Sequence, residues 1–145
     1  MIVTGSGSID PAYPALREGA LVLTTARGAA TLDGRIAAAG QLVVLPGSDR
    51  VDLAQSSNFL RSRGHERILS EAGPTLFGSL ASAGLVDELF LTLSPLLAGR
   101  STLELKLGLV QGASFLPSRR LGGQLLSARL HGSHLFLRYR LERAS

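Results

Sequence analysis

The feature that most constrains the fold is a series of short apolar runs, each ended by glycine or proline. Three of these runs lie in the N-terminal third, at residues 2–4, 20–25 and 41–45. They are continuously apolar rather than alternating, which is typical of strands covered on both faces. Each run is followed by a linker long enough for a crossover connection. The pattern therefore predicts an α/β fold with a mainly parallel sheet.

The positions of glycine and proline predict further helices and strands along the chain. An Ala-rich stretch ended by Gly40 predicts a short helix, and a second helix is amphipathic and precedes Gly64. The segment between Gly84 and the C-terminal third carries one more strand and then a Gly- and Ser-rich stretch typical of loops. The predicted elements are helices at 30–39, 52–63 and 74–83, strands at 67–71 and 87–95, and a loop over most of 98–118.

Near the C-terminus, the pattern of apolar residues changes to a period of two. Residues 124–131 and 134–142 flank Gly132-Ser133, and apolar and polar side chains alternate in the second run. This predicts an antiparallel hairpin. We therefore expect a mixed sheet, parallel in the middle and antiparallel at one edge, within a single domain over residues 1–145.

Composition excludes several classes of protein. The chain has 145 residues, of which 45% are hydrophobic and 18% charged, so it is not intrinsically disordered. It has no cysteine, which excludes disulfides and thiolate metal sites. The three histidines lack the paired spacing of a metal helix, so we expect no metal. No apolar run approaches the ~20 residues of a membrane span, and no signal peptide is visible, so we expect a soluble, cytoplasmic protein.

The net charge of +4 raises the question of a nucleic-acid partner. The arginines are scattered, with only Arg119 and Arg120 adjacent, and few aromatic residues lie beside them to stack on bases. We therefore expect no nucleic-acid partner. The alternatives are a solvated basic surface and a site for a small anionic molecule.

One segment, residues 68–79, carries chemical information. An apolar run ends at Glu71, Gly73 permits a tight turn, and Pro74 suits the first position of a helix. The free N–H groups of a helix N-terminus attract phosphates, and ligands of α/β sheets bind at the carboxyl ends of strands. The segment contains neither the Rossmann glycine pattern nor a Walker loop. The residues alone leave open a phosphate site and a simple sharp turn.

The run over residues 63–76, continued by Gly84-Leu85-Val86-Asp87-Glu88-Leu89 and then by Pro95 and Gly99, resembles the riboflavin-biosynthesis pyrimidine reductase family. Domains of this family are similar to dihydrofolate reductase in fold. Residues 2–4 and 21–25 resemble the family's middle strands, and the C-terminal hairpin resembles its last two. The resemblance implies a dihydrofolate-reductase-like mixed sheet.

The resemblance also implies an activity, an NADPH-dependent reduction of the sugar of a phosphoribosylamino-pyrimidine to a ribityl chain. Hydride transfer asks the protein mainly to position two reactants, so we assign no catalytic residue. The family often forms homodimers, and its pattern implies that Glu71 contacts the substrate. The same family pattern implies that the cofactor phosphates contact Gly73, Pro74, Thr75, Leu76, Phe77, Gly78 and Ser79.

The match begins in the middle of the family pattern. Family members carry a preceding segment that contains the first strand. Residues 31–37 are similar to the start of many family members, but they lie after the run at 21–25. We therefore interpret this similarity as chance. We therefore expect an N-terminally truncated, partial reductase domain that exposes apolar edges, binds NADPH weakly and turns over nothing alone. The alternatives are a related reductase acting on a pterin and a non-catalytic dinucleotide-binding or assembly module.

Overall fold

A computed structural model describes residues 1–36, 42–97, 99, 108–117 and 119–142. These residues fall into two compact units, Met1–Ile68 and Leu69–Ser145, and each is described by itself. The single domain expected over residues 1–145 stays a prediction. The elements are β1 (Ile2–Thr4), α1 (Pro14–Arg17), β2 (Val22–Thr24), α2 (Ala26–Leu32), β3 (Leu42–Val44), α3 (Leu53–Ser62), α4 (Pro74–Ser82), β4 (Glu88–Leu93), β5 (Gly123–His131) and β6 (His134–Leu141).

The first unit contains the parallel sheet, in the order β1-β2-β3. Its central strand β2 is fully buried along its whole length, as a continuous apolar run predicts. The core of the unit forms around this strand, because both faces of β2 must be covered. Its members are Leu16, Val22 and Leu32, with Ile2, Ile9, Ile36 and Leu42 packed against them.

The helix expected at 30–39 begins earlier, and the prediction of its start was wrong. Thr25 is the N-cap of α2, and its side-chain oxygen accepts a hydrogen bond from the Gly28 backbone N–H, so the helix starts directly after β2. Residues 37–41, which complete that predicted helix and open the predicted third strand, lie outside the described residues. Helix α3 lies where the sequence predicts it, with Asp52 as its N-cap.

The second unit contains α4 and an antiparallel sheet in the order β4-β6-β5. The hairpin of β5 and β6 is confirmed, and its strands pair from His131–His134 to Gly123–Leu141. The predicted mixture of parallel and antiparallel pairing is thus present as two sheets of three strands each. This arrangement confirms the α/β class, although parallel strands do not outnumber antiparallel ones among the described residues.

The strand predicted at residues 67–71 is not formed, since this segment is neither helix nor strand. Ile68 is 48% exposed and Leu69 is 77% exposed. A strand exists only where a neighbour pairs with its backbone groups, and within the described residues neither sheet includes this segment. The apolar run alone therefore gave the wrong prediction.

A β-bulge divides β5 and decides which face each of its side chains occupies. Leu125 pairs with Tyr139 and Ser127 with Arg138, so the register skips Leu126. Without this extra residue, Leu125 and Leu130, five positions apart, would point to opposite faces. The bulge places both on the face shared with Tyr139.

Candidate functional site

The N-terminus of α4 lies where the sequence predicts it. Gly73 is the N-cap, with extended backbone angles (φ −64°, ψ 171°), and Pro74 occupies the first turn. The Phe77 N–H donates to the Gly73 carbonyl oxygen over 3.1 Å. The N–H groups of Thr75 and Leu76 precede this bond and have no acceptor within the helix. Together with the helix dipole they form a positive end that suits a phosphate oxygen.

The space in front of Gly73 is open. A Cβ atom built on Gly73 meets no other heavy atom within 4 Å, and no side chain of the described residues caps the helix. Glu71, Ala72 and Gly73 are all exposed. Among the described residues, no protein atom therefore fills the space next to Gly73. Glu71 is exposed three residues before the first residue of α4, in an irregular segment rather than at the end of a strand.

The rest of the predicted cofactor loop is engaged within the protein. A Cβ on Gly78 would lie 2.6 Å from the Gln111 carbonyl oxygen, and the Gln111 N–H donates to the Pro74 carbonyl oxygen over 3.1 Å. The Ser79 hydroxyl donates to the Thr75 carbonyl oxygen over 3.0 Å. The Phe77 side chain lines an apolar cavity of about 300 Å³. Residues 73–76 therefore form the accessible end of this loop.

A second polar cluster, not predicted from the sequence, lies at the carboxyl end of the parallel sheet. The Thr25 hydroxyl, fully buried, donates to the Gly5 carbonyl oxygen over 2.8 Å and accepts from the Gly28 N–H over 3.1 Å. The Gly7 N–H donates to the Thr4 hydroxyl over 3.1 Å. The signal for this cluster was a Gly-x-Gly directly after a parallel strand, at the edge where open sheets bind ligands.

An arginine lies beside this sheet edge. The Arg27 guanidinium, in the first turn of α2, contacts the Asp49 carboxylate over 2.7 Å, and the two side chains are 70% and 71% exposed. An ion pair this exposed contributes little to stability, so Arg27 can exchange Asp49 for another anion.

The described residues were also searched for metal ligands and for membrane-spanning helices. His65, His131 and His134 are all exposed, and His134 Nε2 lies 3.4 Å from the Ser94 hydroxyl. Across the described ranges, no group of three or more His, Cys, Asp or Glu side chains could hold a metal ion. No helix among the described residues has the length and apolarity needed to cross a bilayer.

Comparisons with known structures identify the fold. A pyrimidine reductase-like protein from Corynebacterium diphtheriae superposes with a TM-score of 0.71 at 23% identity, over 97% of this chain and 60% of that one. A RibD from Acinetobacter baumannii superposes with a TM-score of 0.72 at 18% identity, over 97% of this chain and 37% of that one. These similarities confirm the dihydrofolate-reductase-like fold class expected from the sequence.

Sequence comparisons identify the family. A 2,5-diamino-6-ribosylamino-4(3H)-pyrimidinone 5′-phosphate reductase from Methanothermobacter thermautotrophicus is 40% identical over 57 residues, which are 39% of this chain. That alignment spans about a quarter (26%) of the length of this curated relative. The model of the RibD C-terminal domain family matches residues 1–126. The chain therefore belongs to the RibD C-terminal domain family, the reductase family of riboflavin biosynthesis.

Proposed function

We propose that this protein is a reductase of riboflavin biosynthesis that binds NADPH and reduces the sugar of a phosphorylated ribosylamino-pyrimidine. The observation that carries the proposal is the uncapped, open N-terminus of α4 at Gly73, in a chain of this family. The proposal extends to this chain the activity of the Methanothermobacter relative, of whose length the alignment covers 26%.

The cofactor phosphates are proposed to lie against residues 73–76. Thr75 and Leu76 offer backbone N–H groups, the exposed Thr75 side chain adds a hydroxyl, and Gly73 leaves room for the close approach of a phosphate. The remaining predicted contacts, Phe77, Gly78 and Ser79, support this end by packing and by hydrogen bonds within α4. When bound, the nicotinamide cofactor supplies the hydride, and the protein orients it and excludes water.

Glu71 is proposed to bind the substrate. Its carboxylate is exposed, and ionised carboxylates accept hydrogen bonds from the hydroxyl and amino groups that a ribosylamino-pyrimidine carries. We further propose that the protein is cytoplasmic, that it forms a homodimer, and that residues 1–145 belong to a single reductase domain.

A non-catalytic dinucleotide-binding module is the second candidate. The observation that favours it is the irregular, exposed segment 67–71, because a carboxylate on an unpaired segment is poorly fixed for positioning a substrate. The two candidates share the cofactor site and differ in turnover.

The experiment compares Gly73→Asp with Gly73→Asn. Both side chains are good N-caps and occupy the same open space, so both variants should fold, but only Asp brings a negative charge to the phosphates. NADPH binding, followed by fluorescence titration, should weaken at least about tenfold more in Gly73→Asp than in Gly73→Asn. Equal affinities of the two variants would remove this helix from the cofactor site.

A second measurement separates the two candidates. NADPH oxidation is followed with the ribosylamino-pyrimidine phosphate in the unmodified protein and in Glu71→Gln. Turnover that falls in Glu71→Gln supports the reductase. NADPH binding without any turnover in the unmodified protein supports the module.

A further inference from the structure

The antiparallel sheet of the second unit carries aromatic rings and arginines on one of its two faces. Phe90 on β4 pairs with Arg138 on β6, and Phe136 on β6 pairs with Arg129 on β5. Paired residues point to the same face of a sheet, and so do residues two apart on one strand. Arg140 therefore shares this face with the other four. We name this surface the basic face and define it by Phe90, Arg129, His134, Phe136, Arg138 and Arg140.

Three rings form a row that runs along β6 and crosses to β4. The ring centroids of His134 and Phe136 lie 6.4 Å apart. Phe90 is a diagonal neighbour of Phe136, because its partner Arg138 lies two residues further along β6. Such neighbours are about 7–8 Å apart. Phe90 is 66% exposed and Phe136 is 44% exposed, and His134 is exposed as well, so each ring can stack on a planar group from solvent.

The basic face is also positively charged. Its three arginines are all exposed, and Glu88 is the only acidic residue within the three strands. Glu88 engages Arg138, so Arg129 and Arg140 are left without an acidic partner among the described residues. The carboxylate of Glu142 lies beyond the end of β6, against Gly122. The charge of this face therefore favours an anionic partner.

We propose that the basic face binds a single-stranded polynucleotide, whose bases stack on His134, Phe136 and Phe90 while its phosphates meet Arg129 and Arg140. Bases of every kind have a flat face that stacks on an aromatic ring, and arginines neutralise phosphates. A duplex keeps its bases within its own stack, so it would meet the arginines without the rings. An acidic protein segment would likewise leave the rings uncovered. The rings and the charge together thus favour a single strand.

Strand pairing creates this surface from residues that are distant in the chain. Along the chain, few aromatic residues lie beside the arginines, and on that ground the sequence predicts no nucleic-acid partner. In the sheet, Phe136 lies directly beside Arg129, because the bulge at Leu126 shifts the register of β5. That ground therefore does not hold for the folded chain.

The basic face is separate from the proposed cofactor site. Phe77 of α4 lines the apolar cavity together with Leu89, Tyr139 and Leu141, which point away from the basic face. Helix α4 therefore lies on the other side of the antiparallel sheet. A polynucleotide on the basic face leaves the N-terminus of α4 open to NADPH, so the proposal goes beyond the reductase activity and is tested without substrate.

The first experiment measures binding of the full chain to a labelled single-stranded oligothymidine of about 12 nucleotides, by fluorescence anisotropy. Phe136→Ala removes a ring from the basic face. Leu135→Ala is the matched control, because Leu135 is the neighbouring residue, 40% exposed, on the opposite face. We expect the dissociation constant to rise at least about fivefold in Phe136→Ala and to stay unchanged in Leu135→Ala. Equal dissociation constants in the two variants, or no binding by the unmodified protein, overturn the proposal.

The second experiment measures how the same binding depends on salt. Arg129→Gln removes one phosphate contact, whereas Arg129→Lys keeps the charge. The slope of log affinity against log salt concentration should become shallower by about 0.7 in Arg129→Gln and stay unchanged in Arg129→Lys. An unaltered slope in Arg129→Gln overturns the proposal.

The third experiment uses the unmodified protein and remains decisive even where a variant fails to fold. Duplex DNA and polyglutamate should compete with the oligothymidine at least about tenfold less well than unlabelled single strand, and saturating NADPH should not compete. Equal competition by polyglutamate identifies an acidic protein segment as the partner, and displacement by NADPH places the strand in the cofactor site. Either result overturns the proposal, as does equal competition by the duplex.

Ultraviolet crosslinking of the bound oligothymidine, followed by mass spectrometry, locates the strand on the unmodified protein. Crosslinks at His134, Phe136 or Phe90 support the proposal, and crosslinks confined to residues outside the basic face overturn it. Oligouridine of the same length, tested alongside, tells RNA from DNA as the preferred strand, and binding of either supports the proposal.

Discussion

The Arg138 guanidinium holds the Glu88 carboxylate through two hydrogen bonds, from Nε to Oε2 and from Nη2 to Oε1, each 2.8 Å long. The two residues lie on neighbouring strands, two residues out of direct register, and Arg138 also lies over the Phe90 ring at 5.5 Å. This contact fixes β4 against β6 on the face of the sheet opposite to Leu91 and Leu137. Two-pronged pairs of this geometry are more specific than single contacts.

Glu88→Gln is expected to lower the free energy of unfolding by about 0.5–1 kcal/mol, a modest loss because the Arg138 and Glu88 side chains remain 46% and 27% exposed. Asp49→Asn is the control, since its pair with Arg27 is 70% and 71% exposed. Urea denaturation measures both variants. An equal loss in the two would show that the second hydrogen bond of the Glu88 pair adds nothing.

Gly28→Ala is expected to destabilise the first unit by about 1–3 kcal/mol through overpacking. A Cβ at Gly28 would overlap the Thr24 hydroxyl and lie 2.8 Å from the Gly5 carbonyl oxygen. The Thr24 hydroxyl is buried and has no hydrogen-bond partner among the described residues. Thermal unfolding of the variant measures the loss.

Thr24→Ala tests the origin of that loss. Removing the hydroxyl takes away the closest obstacle, so the double variant should lose less stability than the two single losses added together. Gly73→Ala, where no atom lies within 4 Å of the new methyl group, is the glycine control without overlap and should lose less stability, only what the weaker Ala N-cap costs. Strict additivity in the double variant would place the strain elsewhere.

Gly78→Ala is expected to separate residues 110–111 from α4. The new methyl group would lie 2.6 Å from the Gln111 carbonyl oxygen and 3.2 Å from a Val110 methyl group. The Gln111 amide, which donates to the Pro74 carbonyl oxygen, should therefore exchange its hydrogen faster with solvent. Ser79→Ala, on the next residue of α4, should leave this amide protected, and a slow Gln111 amide in Gly78→Ala would contradict the packing described.

Asp52 is expected to make the stability of α3 depend on pH. Hydrogen bonds from the Gln55 backbone N–H, from the Gln55 side chain and from the Ala54 N–H hold the pKa of Asp52 below its ordinary value of 3.8. A lowered pKa means that the folded state favours the charged carboxylate. The stabilisation is therefore fully present above the ordinary pKa and is lost as the pH falls through the lowered one.

Asp52→Asn is the matched variant, because Asn also caps helices and does not titrate. Unfolding of both proteins is measured from roughly pH 6 down to roughly pH 3. The difference in stability between them should shrink as the pH falls. A difference that stays constant over this range would show that Asp52 titrates alike in the folded and unfolded chains.

The parallel strands, α3, α4 and the C-terminal hairpin follow from local sequence. Each depends on a signal contained within its own few residues, such as the buried run of β2, the capping Asp52, or the period of two in β6. The N-terminal end of α4 could likewise be predicted, because Gly73 and Pro74 specify a helix start without help from distant residues. The resemblance of residues 63–76 to the family pattern then predicted a candidate cofactor site at this end of α4.

Tertiary structure decided what depends on partners distant in the chain. Residues 67–71 have the composition of a strand, but a strand needs a neighbour for its backbone groups, and composition does not specify one. The bulge at Leu126 likewise exists only in the pairing of β5 with β6, and it determines which side of the sheet Leu130 occupies. Packing of residues 110–111 on Gly78 limits the accessible part of the loop to residues 73–76. Local sequence therefore determined most of the elements, and only long-range contacts decided whether residues 67–71 form a strand and which faces of the elements remain open.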